Sequence, residues 1–149
     1  MYDRILVALD GSLLAEEVLH HVAGIAVRAG SEVILLRVAP PVYAVYEDGV
    51  TGTTLTKDEV VDETASEHKA YLERVADRRK AAGMTDVKTT VEFGDPAEQI
   101  VDYAAKNRID LIAMSTHGRT GIGRWVHGSV AGRVLQAASV PILLIRSKG

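Results

Sequence analysis

The sequence predicts an α/β protein, a three-layer sandwich with helices on both faces of a parallel sheet. The continuous apolar run Arg4–Leu9 has the pattern of a strand buried on both faces, and Glu32–Val38 and Asp110–Met114 read as further strands. Stretches with apolar residues at helical spacing lie between them. Runs and stretches alternate as β, α, β, a long loop, α, β, α, β, α, β, an order that joins parallel strands through right-handed crossovers.

Each element has local support. After the first strand, Asp10-Gly11-Ser12 turns the chain and places Ser12 to cap a helix. That helix is read from Leu14 to Arg28 on Leu14, Val18, Val22 and Ile25, with Gly30 as its stop. The second strand ends at Ala39-Pro40-Pro41. Val42–Thr56, with Gly49 and Gly52, is a loop long enough for a compact domain to imply function or mobility. Lys57–Ala82 reads as a long amphipathic helix on Val60, Val61, Ala65, Tyr71, Leu72 and Val75, and Gly83 ends it. Val87–Phe93 alternates like an edge strand with one wetter face. Gly94-Asp95-Pro96 opens a helix toward Asn107, with Asp95 as cap and Pro96 in the first turn. Asp110–Met114 is the fourth strand, Gly128–Ala138 the fourth helix and Val140–Ile145 the fifth strand.

Composition bounds the function. A chain of 149 residues, 47% hydrophobic, suits one domain spanning 1–149 with a proper core. A net charge of −3 argues against a nucleic-acid surface. No apolar run approaches the ~18 residues needed to span a membrane, and the start lacks a basic-then-apolar leader. The absence of Cys excludes disulfides, thiolate catalysis and zinc–thiolate sites, and fits a reducing cytoplasm. The expectation is a soluble, cytoplasmic protein without nucleic-acid or membrane partners.

Chemistry concentrates in Leu111–Ser129, LIAMSTHGRTGIGRWVHGS. A strand ends in small polar residues, an arc with Gly118, Gly121 and Gly123 follows, and Gly128-Ser129 opens a helix. Such a loop can wrap phosphates with backbone N–H groups, and a helix N-terminus adds partial positive charge. Two other phosphate motifs fail. Gly118 to Trp125 imitates P-loop spacing, but Arg124 replaces the Lys and Trp125 the Mg²⁺-binding hydroxyl. The glycines also do not follow the first strand, as a dinucleotide fingerprint requires.

The spacing resembles that of the ATP-binding universal stress proteins, which carry Gly-x-x-Gly, nine residues, then Gly-Ser or Gly-Thr. Here Gly118 is followed by the nine residues Arg119–His127 and then Gly128-Ser129. Ser115 stands where that family usually has its first Gly. The opening ILVALDGS, the internal GDPAEQI and the closing SVPILLIR extend the resemblance over the whole chain.

The resemblance implies strand order 3-2-1-4-5, an adenine-nucleotide α-hydrolase-like sheet. The loops after strands 1 and 4 then meet at the switch point, where such sheets bind ligands. It further implies that Ala8 and Val38 flank an adenine, that Met114 belongs to the nucleotide site and that Asp10 lies at the nucleotide. By position alone Asp10 serves equally as a turn residue bonding local N–H groups. Ser115, His117, Gly118, Arg119, Gly128, Ser129 and Val130 complete the implied site, as a cradle for phosphates. Ser129 as a mere helix cap, and glycines as mere turn residues, are the structural alternatives. The implied ligand is ATP, with ADP or AMP as alternatives, accompanied by Mg or Mn.

Of the histidines, only His117 falls in the crevice loop, to orient phosphates or brace the loop; His20, His21 and His68 are expected on solvated helix surfaces. Asp3, Arg4 and the acidic helix faces, Glu16 and Glu17 among them, are expected to be solvated too. No nucleophile–base pair or metal-ligand spacing stands out, so no catalytic residue is assigned. The apolar edge strand 140–146 needs cover, and the resemblance implies a homodimer through it. The first functional reading is therefore an ATP-binding signalling or stress-response module, at most a slow ATPase, acting on an unidentified protein partner. The alternatives are a nucleotide-free interaction protein of the same family and a phosphoryl-cleaving enzyme of the same fold.

Overall fold

The computed structural model describes residues 1–41, 57–116 and 129–147. Its elements are β1 (Arg4–Ala8), α1 (Val18–Ala29), β2 (Glu32–Ala39), α2 (Lys57–Ala81), β3 (Val87–Phe93), α3 (Pro96–Lys106), β4 (Leu111–Thr116), α4 (Val130–Ala137) and β5 (Ile142–Arg146). The strands form a five-stranded sheet in the order β3-β2-β1-β4-β5. Every pairing is parallel. This is the expected three-layer α/β architecture.

The continuous apolar runs have a direct physical origin. Successive strand residues point to opposite faces, and both faces here are covered. Ile5, Val7, Val33, Leu35 and Ala113 pack on one side with Val18, Leu19 and Val22 of α1 and Leu72 and Val75 of α2. Leu6, Ile34, Leu36, Ile112 and Met114 pack on the other with Ala97, Ile100 and Ala104 of α3 and Ala131 and Val134 of α4. In β1, Ile5, Leu6 and Val7 are fully buried. Opposite the site, Glu32 of β2 stitches the sheet's other end: Lys88 Nζ of β3 approaches it at 2.9 Å and Arg4 Nε of β1 at 3.4 Å.

The first helix does not begin as the periodicity predicts. Ser12 Oγ accepts from Ala15 N at 3.1 Å. The chain then makes a 3₁₀ turn over Ala15–Glu17, with Glu16 N and Glu17 N bonded to Leu13 O and Leu14 O, and becomes α-helical only at Val18. Tighter 3₁₀ bonding is a common way to enter an α-helix. At the far end Gly30 is the stop, at φ 68°. β4 also runs past the predicted Met114: Ser115 and Thr116 pair with Ile145 and Arg146 of β5.

Candidate functional site

β1 and β4 are neighbours, and their connections depart to opposite faces of the sheet. That divergence opens a crevice beyond the strand C-termini. A cavity of about 520 Å³ lies there, within the several hundred Å³ usual for small-molecule sites. One wall is apolar: Ala8 of β1, Leu36 and Val38 of β2, Met114 of β4 and Ile100 of α3. Such a slot suits a flat, apolar-faced group.

The polar lining comes from the element ends. Asp10 follows β1; its Oδ1 accepts from Ser12 N at 2.8 Å, the local turn bond open to it, and the residue also lines the cavity. The turn-residue reading of Asp10 is met, and the residue also stands at the cavity. Ser115 lines the cavity as well, but its hydroxyl donates to Ala15 O at 3.2 Å. Thr116 brings a hydroxyl that is buried and has no hydrogen-bond partner among the described residues. Ser129 caps α4, its Oγ accepting from Gly132 N at 3.1 Å, and Ser129 and Val130 form part of the cavity wall. The first turn of α4 thus borders the crevice, and a helix N-terminus favours an anion.

α4 is held in place from α3. Asp95 caps α3 by accepting from Glu98 N at 3.0 Å, and its other oxygen accepts from Arg133 Nη1 of α4 at 2.8 Å. The Arg133 bond, then the Glu98 N–H, hold the Asp95 carboxyl below its ordinary pKa.

Every expected site residue among the described ones lines this single cavity: Ala8, Asp10, Val38, Met114, Ser115, Ser129 and Val130. His117, Gly118, Arg119 and Gly128 lie outside the described residues, as does the loop 42–56.

Three expectations of solvated charge are corrected. His68 of α2 is half-buried and lines the cavity, because α2 overhangs the C-terminal edge of the sheet. Burial, reinforced by the nearby Arg37 charge, holds its imidazole below the ordinary pKa, against the pull of Glu67 and the Thr64 backbone. Glu16 is 7% exposed and accepts from Tyr71 Oη at 2.9 Å and Arg78 Nη2 at 3.0 Å. Arg4 is partly buried against Glu32, with its Nε out of contact with water. His20 and His21 are exposed, as expected.

Arg37 and Pro96 also line the cavity and were not singled out from sequence. The signal for Arg37 was there: it interrupts the apolar run Val33–Ala39.

Fold and site together define a parallel α/β protein with a cavity at the switch point of its sheet. The model of the universal stress protein family matches residues 1–146. Universal stress protein MJ0531 of Methanocaldococcus jannaschii is 33% identical over 98% of this chain and 83% of its own. The solved structure of MJ0577, from the same organism, superposes with a TM-score of 0.79 at 30% identity, covering 100% of this chain and 99% of that one. A universal stress protein crystallised in complex with cAMP superposes with a TM-score of 0.72 at 22% identity, covering 99% of this chain and 98% of its own. The chain belongs to the universal stress protein family.

Proposed function

We propose that the protein is an ATP-binding signalling module whose nucleotide occupies the crevice at the C-terminal edge of β1 and β4. The observation that carries this reading is the convergence of an apolar slot and the capped N-terminus of α4 on one cavity. The slot takes the purine by burial. The ribose lies toward Asp10, and the phosphates lie toward Ser129 and Val130; the sequence motif assigns Gly118 and Gly128 to the same phosphates. The Thr116 hydroxyl, buried without a partner among the described residues, offers the ligand a polar contact. ADP and AMP fit the same slot.

Mg or Mn would arrive with the phosphates. Among the described residues no group of three His, Asp or Glu side chains is placed to hold a metal ion. Hydrolysis is slow or absent in this reading, because Asp10 is the sole carboxylate among the described residues that line the cavity and is engaged in its own turn. A general base must reach the attacking water. Nucleotide occupancy would set the state read by a partner protein in a stress response. A homodimer through strand 140–146 and a cytoplasmic location complete the proposal; the edge position of β5 and the cysteine-free sequence support them.

The test is to denature protein purified without added nucleotide and to analyse the supernatant by ion-pair chromatography with mass detection. Released ATP or ADP, or binding of added Mg-ATP by the purified protein, is the expected result. Failure of both overturns the reading. The Gly118→Ala/Gly128→Ala double variant should lose nucleotide retention while its circular dichroism is unchanged; retained binding removes the loop from the site.

A further inference from the structure

We propose that Arg37 and His68 form a second anion subsite in the same cavity, selecting an adenine nucleotide phosphorylated on its ribose. The inference rests on the nucleotide reading above and adds a ligand class to it. Arg37 shares the β2 face of Val33 and Leu35, opposite the apolar slot. Its guanidinium lies over the Tyr71 ring, 5.0 Å from the centroid. Tyr71 is in turn fixed by its hydroxyl's bond to buried Glu16, which Arg78 also holds. The guanidinium is therefore presented by a rigid stack.

Its edge is pressed to the first crevice loop. Gly11 sits at φ 90°, and a Cβ there would fall 2.8 Å from Arg37 Nη2. Only a glycine lets the cation come this near the Asp10 turn. One turn before Tyr71 on α2, His68 lines the same cavity. No carboxylate among the described residues forms an ion pair with Arg37.

A fixed guanidinium and an imidazole lining one cavity suit a phosphate, which the planar fork can hold through two N–H bonds. The neighbour of this corner is Asp10, toward which the ribose lies. One ribose hydroxyl reaches Asp10, and a phosphate on the other reaches Arg37. The 5′-phosphates remain at α4.

The experiment compares affinities for AMP, ADP, adenosine 2′,5′-bisphosphate and adenosine 3′,5′-bisphosphate by calorimetry, in the wild type and in Arg37→Gln and His68→Asn. One bisphosphate should bind at least tenfold more tightly than AMP, and which one identifies the phosphorylated hydroxyl. ADP controls for the added charge. In Arg37→Gln the bisphosphate-to-AMP ratio should fall to near one while the ADP-to-AMP ratio moves less than twofold; in His68→Asn the bisphosphate ratio should fall partway. If AMP or ADP binds but neither bisphosphate exceeds AMP, the subsite is overturned and the nucleotide site stands. A bisphosphate preference that survives in a folded Arg37→Gln protein also overturns it. If no adenine nucleotide binds at all, both readings fall.

Discussion

Glu16 shows how a single residue links the core to the crevice. It is a carboxylate in the 3₁₀ turn before α1, buried against α2. A buried charge is tolerable only when paired and hydrogen-bonded. Tyr71 and Arg78 supply those bonds, and Tyr71 then carries Arg37 on its ring. Burial first, then the bond to Glu16, raise the Tyr71 hydroxyl above the ordinary tyrosine range, so it stays a donor at neutral pH. Tyr71→Phe removes one of the two bonds to Glu16 and keeps the ring. It should cost about 1–3 kcal/mol of unfolding free energy, the range for a buried group losing a partner, measured by urea denaturation. A wild-type value would mean that Arg78 alone satisfies Glu16.

At the scale of elements, the two helices beside the crevice are joined by one carboxylate. Asp95 caps α3 with one oxygen and ties down Arg133 of α4 with the other. Removing a helix cap costs about 0.5–2 kcal/mol, so Asp95→Ala should destabilise the fold by that much, while Asp95→Asn keeps an acceptor for the cap and loses the charge and the bond from Arg133. The sign of the pH effect follows from the lowered carboxyl pKa. The contribution of Asp95 is present above the unfolded-state pKa of about 3.9 and is lost as pH falls through the lower folded value. Melting curves should therefore show wild type and Asp95→Asn converging in strong acid and separating by neutral pH. A gap that does not change with pH would mean that the Arg133 pair contributes nothing.

Element type was legible in the sequence where burial on two faces or helical periodicity is strong. β1, β2, α2 and α3 lie where the apolar pattern puts them, and Asp95 and Gly30 cap as their residue types predict. Ends were legible only where a local signal marks them. Ser115 and Thr116 look like loop residues, but pairing with β5 extends the strand through them, and a long-range ladder leaves no mark in local composition. Leu14 fits a helix by spacing, yet the first turn is 3₁₀, a choice set by how the turn packs. His68 and Glu16 were misplaced for a related reason: periodicity sorts a helix into buried and solvated faces, and cannot show where a neighbouring element covers the polar one.

For the whole molecule, the consequence of the order β3-β2-β1-β4-β5 is that polarity collects at one end and an apolar strand is left at one edge. The cavity lies at the C-terminal end, lined from both faces of the sheet. β5 lies at the edge, with Ile142–Ile145 half-buried and, among the described residues, only β4 paired with it. Pro141 O accepts from Ile112 N, and Ser147 N donates to Thr116 O, so odd-numbered residues turn their backbone toward β4. Even-numbered ones, Leu144 among them, turn theirs to the open edge. An exposed apolar edge is a template for pairing, and a two-fold axis beside it would bring two copies of β5 together. Proline is tolerated at such a position in an isolated edge strand because the N–H it lacks faces outward. Leu144→Pro should therefore keep the β4–β5 ladder and abolish the proposed dimer, whereas Leu144→Ala, which loses comparable packing but keeps the N–H, should remain dimeric. Sedimentation at micromolar concentration separates the two outcomes. A dimer that survives Leu144→Pro must be built on another face, and a monomeric wild type would mean that the edge of β5 is not where two copies meet.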